Sequence, residues 1–236
     1  MARGALGLSS SVRWGGCHAR SRRSRFSQRR SASLGELSSV VESQQFDRGM
    51  LEELFEVAKD MEKIVDQGEE CTILSGKVMG TLFYEPSTRT RLSFETAMCR
   101  LGGKVVSTEN AREFSSVAKG ETLEDTIRTL EQYVDVIVLR HFQAGSARIA
   151  ADAASVPLIS AGDGPGQHPT QALLDIFTIQ KEIGRVDDTS VALVGDLANG
   201  RTARSLAYVL AKFDNVGRRP SPLRRAESSR NPPSAH

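Results

Sequence analysis

The sequence predicts an α/β fold: a first domain with a parallel, four-stranded sheet and flanking helices, followed by the first β-α unit of an incomplete second α/β domain. Two observations support this prediction. Apolar runs of strand length alternate with segments of helical spacing between residues 47 and 183, and such alternation is typical of parallel β-α units. After Gly184, one more apolar run is followed by one more helical segment.

Each predicted helix has apolar residues at spacings of three and four, and two helix ends are recognisable. Asp47 is a predicted N-cap, and Gly102-Gly103 end the second helix. The predicted helices cover residues 47–66, 88–101, 123–133, 144–154, 170–183 and 201–212. The predicted strands cover residues 77–85, 104–108, 135–140, 156–160 and 190–196. Polar residues 109–121 and the glycine-rich residues 161–169 are predicted loops.

Composition divides the 236-residue chain into four parts. Residues 1–35 carry a charge of +8 and are rich in Ser and Arg, which predicts a disordered organelle transit peptide. Their Ser content favours the chloroplast, with the mitochondrion as the alternative; the other interpretation is a basic arm that binds RNA or membrane. Residues 36–183 are predicted to form the first domain, and residues 184–216 the start of the second. Residues 217–236, rich in Pro and Arg, are predicted to be a disordered tail.

Charge and cysteine content count against several functional classes. The net charge is +2, but the basic charge lies in the two ends and residues 36–216 carry −10. This acidic middle, without aromatic residues among basic ones, counts against a nucleic-acid-binding protein. No apolar window has the length of a membrane span. The three cysteines include no C-x-x-C pair, so neither a disulfide framework nor a zinc site is predicted.

The segment "EPSTRTR", residues 85–91, follows a predicted strand and opens a predicted helix. Backbone amides in a first helical turn lack partners within the helix and attract anions. Hydroxyl groups of Ser87, Thr88 and Thr90 add donors, and the planar guanidinium of Arg89 suits phosphate oxygens. The segment therefore predicts a phosphate site built without a G-x-x-x-x-G-K-[ST] loop. The alternative is an ordinary Ser/Thr helix cap with arginines in solvent.

Two further strand ends carry polar residues that could meet this segment. Arg140 follows one predicted strand, and the loop "GDGPGQHPTQ" with His168 and Gln171 follows the next. Ligands of open α/β sheets bind outside the carboxyl ends of the strands. No paired carboxylates and no metal-ligand spacing accompany these residues. The predicted chemistry is therefore stabilisation of charge on a phosphorylated, carbonyl-bearing substrate rather than covalent or metal catalysis.

Five segments, taken in order and at their spacings, closely resemble the aspartate/ornithine carbamoyltransferase family. They are "PSTRTRLSFE", "KGETLEDT", "VLRH", "GDGPGQHPTQALLD" and "VGDLANGRTARSL". The resemblance covers about residues 46–216. Within the family, a loop with Ser and Lys, as in "FSSVAKGE", is typical of the aspartate enzymes, whereas the ornithine enzymes generally lack that lysine. The five segments together resemble the plant type of the aspartate enzymes. The resemblance implies transfer of the carbamoyl group of carbamoyl phosphate to the α-amino group of L-aspartate, a step of pyrimidine biosynthesis.

The resemblance also implies a role for each matching position in the first domain, residues 36–183, which becomes the expected carbamoyl-phosphate-binding domain. The implied ligands of carbamoyl phosphate are Ser87, Thr88, Arg89, Thr90, Arg140, His168 and Gln171. Thr90, Arg140 and His168 are the implied catalytic residues, because they are expected to polarise the carbonyl oxygen. Gln171 is expected to fix the carbamoyl amide, and no metal or organic cofactor is implied.

Aspartate is expected to bind Lys119 and Arg201, with residues 184–216 as the start of an aspartate-binding domain. Ser115 and Lys119 are expected to come from a neighbouring subunit, because the family forms homotrimers with shared active sites. A pyrimidine nucleotide inhibitor is also implied by the resemblance. On their residues alone, Arg201 and Lys119 have a second interpretation as solvated charges. Arg91 is expected to support the loop by ion pairing rather than to touch a ligand.

The chain departs from the family pattern after Val216. The family's Arg-x-Gln segment for aspartate and its Pro-Leu-Pro loop over the carbamoyl group do not occur there. The resemblance therefore implies a chain that is truncated at its C-terminus relative to the family, and we expect little activity from it. The alternative hypothesis is a catalytically dead fragment that binds carbamoyl phosphate or joins other subunits.

Overall fold

The computed structural model describes residues 33–222 except 69, 110, 112–119 and 198–199. Six α-helices are described: α1 (Arg48–Gln67), α2 (Thr88–Arg100), α3 (Leu123–Leu130), α4 (Ser146–Ala153), α5 (Pro169–Ile183) and α6 (Arg201–Leu210). Six strands are described: β1 (Val78–Phe83), β2 (Lys104–Glu109), β3 (Val136–His141), β4 (Leu158–Asp163), β5 (Ser190–Gly195) and β6 (Gly217–Pro222). Short 3-10 helices cover Leu34–Glu36 and Ser43–Gln45. None of the described helices is both long enough and apolar enough to cross a membrane.

Strands β1 to β4 form one parallel sheet in the order β2-β1-β3-β4. This confirms the predicted α/β fold with a parallel four-stranded sheet and flanking helices. Because the strands are parallel, their carboxyl ends share one edge, where Phe83 of β1 is level with Arg140 of β3. A register irregularity between Leu139 and His141 shifts the end of β3 relative to β4.

The two faces of this sheet bury different apolar clusters. On one face, Ile137 and Leu139 pack with Ile127 of α3 and Ala150 of α4. On the other face, a smaller cluster joins Met79, Phe83 and Val138 to Met98 of α2. Successive residues of β3 therefore face opposite sides, as expected of a strand that is buried on both faces.

A third apolar cluster joins α1, α5 and α6. Phe55 of α1, Ile176 of α5 and Val209 of α6 are buried in it, together with Phe213. This cluster spans the predicted domain boundary at residue 184, so burial of apolar surface ties α6 to the first part of the chain.

Arg48 at the start of α1 adds polar contacts across the same boundary. Its guanidinium donates two hydrogen bonds to Asp187, at 2.9 and 2.6 Å, and lies over the ring of Phe213. The same group contacts Asp214 at 3.2 Å and Glu52 at 3.0 Å. A bidentate arginine that also stacks on an aromatic ring holds these segments in a defined orientation.

Strand β6 corrects the expectation of disorder for the first residues of the 217–236 tail. Residues 217–222 pair in parallel with β5 over its full length. The prediction of disorder rested on how little apolar surface residues 217–236 can bury, whereas this strand is held by backbone hydrogen bonds. In the described part of the chain β6 has one neighbour, and prolines are tolerated in such an edge strand. Residues 223–236 and the predicted transit peptide up to residue 32 lie outside the described residues.

Other differences from the predicted elements concern their ends. Strand β4 runs to Asp163, into residues that the sequence predicts to be a loop, and it includes Gly162 at φ +111°. Helix α4 begins at Ser146, because Gly145 at φ +88° is its N-cap residue. Asp47 caps α1 as predicted, with its carboxylate accepting a hydrogen bond from the amide of Met50 at 2.8 Å.

Candidate active site

A cleft of about 680 Å³ lies at the carboxyl edge of the sheet. It is bordered by the segments that follow β1 and β4, by Arg140 near the end of β3, and by the starts of α2, α5 and α6. Eight predicted site residues line it: Ser87, Thr88, Arg89, Thr90, Arg140, His168, Gln171 and Arg201. Three strand-end segments that are far apart in sequence therefore meet at one place, as the sequence predicts.

Three helix N-termini face this cleft without a side-chain cap. Ser87 before α2, His168 before α5 and Gly200 before α6 make no capping hydrogen bond through a side chain. The first amides of each helix have no partner within the helix and carry the positive end of its dipole. Together they make the cleft attractive to an anion before any arginine is counted.

Arg140 and Arg201, which both line the cleft, share one carboxylate. Glu85 lies 3.4 Å from an Nη atom of Arg140 and 3.8 Å from one of Arg201. Each guanidinium also donates to a backbone carbonyl, Arg140 to Ala161 at 3.2 Å and Arg201 to Gly164 at 2.6 Å. Arg201 is therefore held against the β4 loop, and the interpretation of Arg201 as a freely solvated helix-start residue is wrong.

Gly162 lets the two guanidinium groups approach the backbone of β4. A Cβ atom at this position would lie 3.2 Å from Cζ of Arg201 and 3.4 Å from Nη1 of Arg140. Its φ of +111° also favours glycine. The sequence "AGDGPGQHP" therefore supplies both the loop and the space in which the arginines lie.

The surroundings of Arg140 disfavour its positive charge. Burial lowers the pKa of Arg140, the nearby charge of Arg201 lowers it further, and Glu85 opposes both effects. The buried Nε atom of Arg140 has no hydrogen-bond partner among the described residues. Two close guanidinium groups with one carboxylate between them leave the cleft with an excess of positive charge.

His168 is buried, with 6% of its surface exposed. Burial, followed by the charges of Arg201 and Arg140, lowers its pKa to about 4. The imidazole is therefore neutral near pH 7. Its backbone amide donates to Oγ of Ser205 at 3.0 Å, and its Nδ1 atom lies 3.4 Å from Oγ1 of Thr170.

The loop that carries His168 is held from two sides. Asp163 accepts hydrogen bonds from the amides of Gln167 and Gly145, at 2.7 and 2.9 Å. The side chain of Gln167 accepts from the amide of Ser43, which belongs to the segment paired beside β4. Together with the contacts from α6, these bonds fix the position of the imidazole relative to the arginines.

Gln171 lies on the first turns of α5 and lines the cleft. Its Nε2 atom donates to Oδ1 of Asp175 at 2.8 Å. Burial raises the pKa of Asp175, and the hydrogen bond from Gln171 opposes that rise.

Two other residues near the motif have structural contacts. Arg91 pairs with Glu109 at 2.9 Å and lies 3.7 Å from Glu95, as expected for a residue that supports the loop. His141 is buried, packs against the rings of Tyr84 and Phe142, and does not line the cleft. Its position directly after Arg140 does not make it a site residue.

Ser115 and Lys119 lie outside the described residues, so their expected placement stays a prediction. Sequence reasoning missed Glu85, Gly162 and Thr170. Glu85 and Thr170 stand inside the quoted motifs, but their roles depend on partners that are distant in sequence. Only the glycine of "AGDG" gave a local signal, as a residue that tolerates positive φ.

Comparison with known proteins gives a family and a fold. Residues 38–181, more than half of the chain, match the family model described as aspartate/ornithine carbamoyltransferase, carbamoyl-P binding domain. The chain is 69% identical over 181 residues to an aspartate carbamoyltransferase named as chloroplastic from Arabidopsis thaliana, covering 77% of this chain and 46% of that protein.

Solved structures agree with the sequence comparison. The catalytic subunit of Methanocaldococcus jannaschii aspartate transcarbamoylase matches with a TM-score of 0.76 at 47% identity, covering 80% of this chain and 61% of that one. Aspartate transcarbamoylase from Trypanosoma cruzi in complex with carbamoyl phosphate and aspartate matches with a TM-score of 0.73 at 45% identity, covering 76% and 55%. The chain spans about half the length of the curated relatives it matches.

Proposed function

The chain belongs to the aspartate/ornithine carbamoyltransferase family, and from this premise we propose that its cleft binds carbamoyl phosphate and promotes carbamoyl transfer to L-aspartate. The products are N-carbamoyl-L-aspartate and phosphate. The observation that supports the proposal most is the convergence of Arg89, Arg140, His168 and Gln171 on one cleft. Its uncapped helix starts and paired arginines suit a substrate that carries a phosphate beside a carbonyl group.

The phosphate lies at the start of α2. Amides of the first helical turn, hydroxyl groups of Ser87, Thr88 and Thr90, and the guanidinium of Arg89 hold its oxygens. This contact fixes the leaving group and withdraws charge from the bond that breaks. Because phosphate leaves with its negative charge, the same donors stabilise the product side of the reaction.

The carbonyl oxygen lies between Thr90, Arg140 and His168. When the hydroxyl of Thr170 donates to Nδ1 of His168, the neutral imidazole carries its proton on Nε2 and can donate from that atom. Negative charge develops on this oxygen as the amine attacks. Each well-oriented donor of this kind contributes roughly 3 kcal/mol to lowering such a barrier.

The α-amino group of aspartate attacks the carbamoyl carbon. A C–N bond forms, the C–O bond to phosphate breaks, and the proton lost by the amine goes to the departing phosphate. Arg201 binds one carboxylate of aspartate. Lys119 from a neighbouring subunit also binds aspartate, and Ser115 comes from the same neighbouring subunit. Holding two substrates in one cleft supplies much of the rate enhancement, since it removes the entropy cost of their encounter.

Assembly and location follow from the same family membership. We place the chain in a homotrimer whose active sites are shared, with a pyrimidine nucleotide as a candidate inhibitor at the cleft. The Ser- and Arg-rich residues 1–35 and the chloroplastic relative support a chloroplast location.

A second candidate is binding of carbamoyl phosphate without turnover. Among the described residues, Arg201 is the one cation assigned to aspartate, whose two carboxylates need more than one partner. On this candidate, the chain holds the donor and turns over at well below about one per second, the low end for enzymes.

The test is formation of labelled N-carbamoylaspartate by the full chain, with donor binding followed by ³¹P NMR. Formation above the uncatalysed rate that is lost in His168→Asn supports transfer. Saturable binding without product supports the second candidate. If the chain neither binds the donor nor forms product, both candidates are overturned. Arg100→Ala, at the far end of α2 and outside the cleft, is the matched control.

A further inference from the structure

Asp175 is a partly buried carboxylate one helical turn beyond Gln171 on α5, and the proposed reaction does not use it. Its Oδ1 atom accepts a hydrogen bond of 2.8 Å from Nε2 of Gln171. It forms no ion pair with any residue that the structure describes, so the bond to Gln171 is its main polar contact there. Asp175 itself does not line the cleft, whereas Gln171 does.

The chemistry of the pair determines which end of the Gln171 amide is free. A carboxylate accepts hydrogen bonds and cannot donate them, so the amide must present its NH₂ group to Asp175. The carbonyl oxygen Oε1 is then the part of the amide left available to the cleft. An isolated glutamine has no such preference, because its two ends are similar in size and can exchange by a flip.

We propose that Asp175 is a positioning residue that fixes the amide orientation of Gln171, so that the cleft selects a donor bearing an N–H group over one bearing a methyl group. This inference rests on the proposed function, since it assigns the carbamoyl NH₂ group as the partner of Gln171 Oε1. Asp175 acts through Gln171 and does not touch the substrate.

The two donors that the Asp175–Gln171 pair is expected to discriminate are carbamoyl phosphate and acetyl phosphate. They share the phosphate and the carbonyl group and differ in NH₂ against CH₃. An acceptor in the cleft that faces the methyl group of a bound ligand loses its hydrogen bond, which weakens binding by roughly tenfold or more. If Gln171 could flip, its NH₂ group instead of Oε1 would face the NH₂ group of the carbamoyl donor, and the preference would fall.

The experiment compares the affinities of carbamoyl phosphate, acetyl phosphate and inorganic phosphate in the full chain by calorimetry. The wild-type chain is expected to prefer carbamoyl over acetyl phosphate by about tenfold or more. Asp175→Asn can either donate or accept, so it releases the amide. In this variant the preference for carbamoyl over acetyl phosphate is expected to fall by about threefold or more, with the affinity for inorganic phosphate unchanged.

Thr178→Ala is the matched control on the same helix. The hydroxyl of Thr178 is exposed and donates to the carbonyl of Leu174, and its removal is expected to leave the preference unchanged. A merely structural role of Asp175 predicts parallel loss of all three ligands in Asp175→Asn, and that outcome overturns the proposal. An unchanged preference with intact phosphate binding overturns it as well.

A measurement on the wild-type chain covers the case in which Asp175→Asn fails to fold. One side-chain amide proton of Gln171 is expected to exchange slowly with solvent in an NMR experiment, because it is bonded to Asp175. Fast exchange of both protons overturns the proposal. If the wild-type chain binds neither donor, the proposed function fails and this inference with it; if it binds carbamoyl phosphate with no response to Asp175→Asn, this inference alone fails.

Discussion

Arg140 and Arg201 direct their guanidinium groups at the same carboxylate, that of Glu85, with N···O distances of 3.4 and 3.8 Å. Neither distance is that of a tight ion pair, and both arginines are largely buried. The carboxylate therefore separates two like charges in the unliganded cleft. A phosphate or a substrate carboxylate can do the same. The contacts of Glu85 with the two arginines and the binding of anions are therefore expected to be coupled.

Glu85→Gln tests this coupling. Loss of the negative charge leaves the repulsion between Arg140 and Arg201 uncompensated, and the free energy of unfolding is expected to fall by about 1 kcal/mol. Saturating inorganic phosphate should restore most of that loss in chemical denaturation. Glu56→Gln, which removes an exposed pair with Lys59, should change little. Equal effects of the two substitutions, or no rescue by phosphate, would contradict the coupling.

His168 predicts a pH dependence of stability. Its pKa is about 4 in the folded chain and about 6.5 when unfolded. Between these values the unfolded state binds a proton that the folded state does not, so stability falls as pH falls from 6.5 towards 4. The expected loss is about 3 kcal/mol.

The measurement is the free energy of unfolding against pH for the wild-type chain and His168→Asn. The two curves should converge below pH 6.5, since only the wild type carries this penalty. The pKa of His141 is also lowered by burial, but His141 is present in both proteins and its contribution cancels. Curves that stay parallel between pH 7 and 4 would show that His168 titrates normally.

Gly162→Ala tests the space beside the arginines. The new methyl group would crowd Arg140 and Arg201, and the residue would keep a strained positive φ. We expect a loss of stability of about 2 kcal/mol and weaker binding of inorganic phosphate. Gly145→Ala is a matched control, because Gly145 also has positive φ but has nothing within 4 Å of an added Cβ. It should lower stability without changing phosphate affinity; equal phosphate affinity in both variants would count against the crowding.

Arg48→Met tests the contacts that join the start of α1 to the segments around Asp187 and Asp214. Loss of the bidentate pair and of the stacking on Phe213 should lower the free energy of unfolding by about 1 kcal/mol. Arg48→Lys should recover part of this, since lysine keeps the charge and loses the planar fork. Lys63→Met, which removes an exposed pair with Asp60, is the control and should have almost no effect. Thermal or chemical denaturation measures all three.

The sequence predicted the elements of the first sheet because their signals are local. Asp47 caps α1 and Gly102-Gly103 follow α2, so the ends of these helices needed no tertiary information. Strand β4 was predicted too short, since its last residues are glycine-rich and are held by pairing with β3. Strand β6 was missed for a similar reason, because its pairing with β5 joins segments that are apart in sequence and leaves no local pattern.

The residues of the site likewise include some that the sequence predicted and some that it did not. The meeting of Arg89, Arg140 and His168 follows from the rule that parallel strands end at one edge, and the structure brings these residues together. Glu85, Gly162 and Asp175 were not identified, because each acts through a neighbour that the chain brings close only on folding. For Gly162 and Glu85 that neighbour is Arg201, which belongs to the segment after the predicted domain boundary.

The central claim is that the start of α2 and the arginines beside it form the binding site of carbamoyl phosphate. Calorimetry of the full chain with carbamoyl phosphate tests it most directly. The wild-type chain and Arg100→Ala should bind one equivalent with similar affinity, and Arg89→Ala should bind at least tenfold more weakly, or about 1.4 kcal/mol. Equal affinity of Arg89→Ala and Arg100→Ala, or no binding by the wild-type chain, would contradict it.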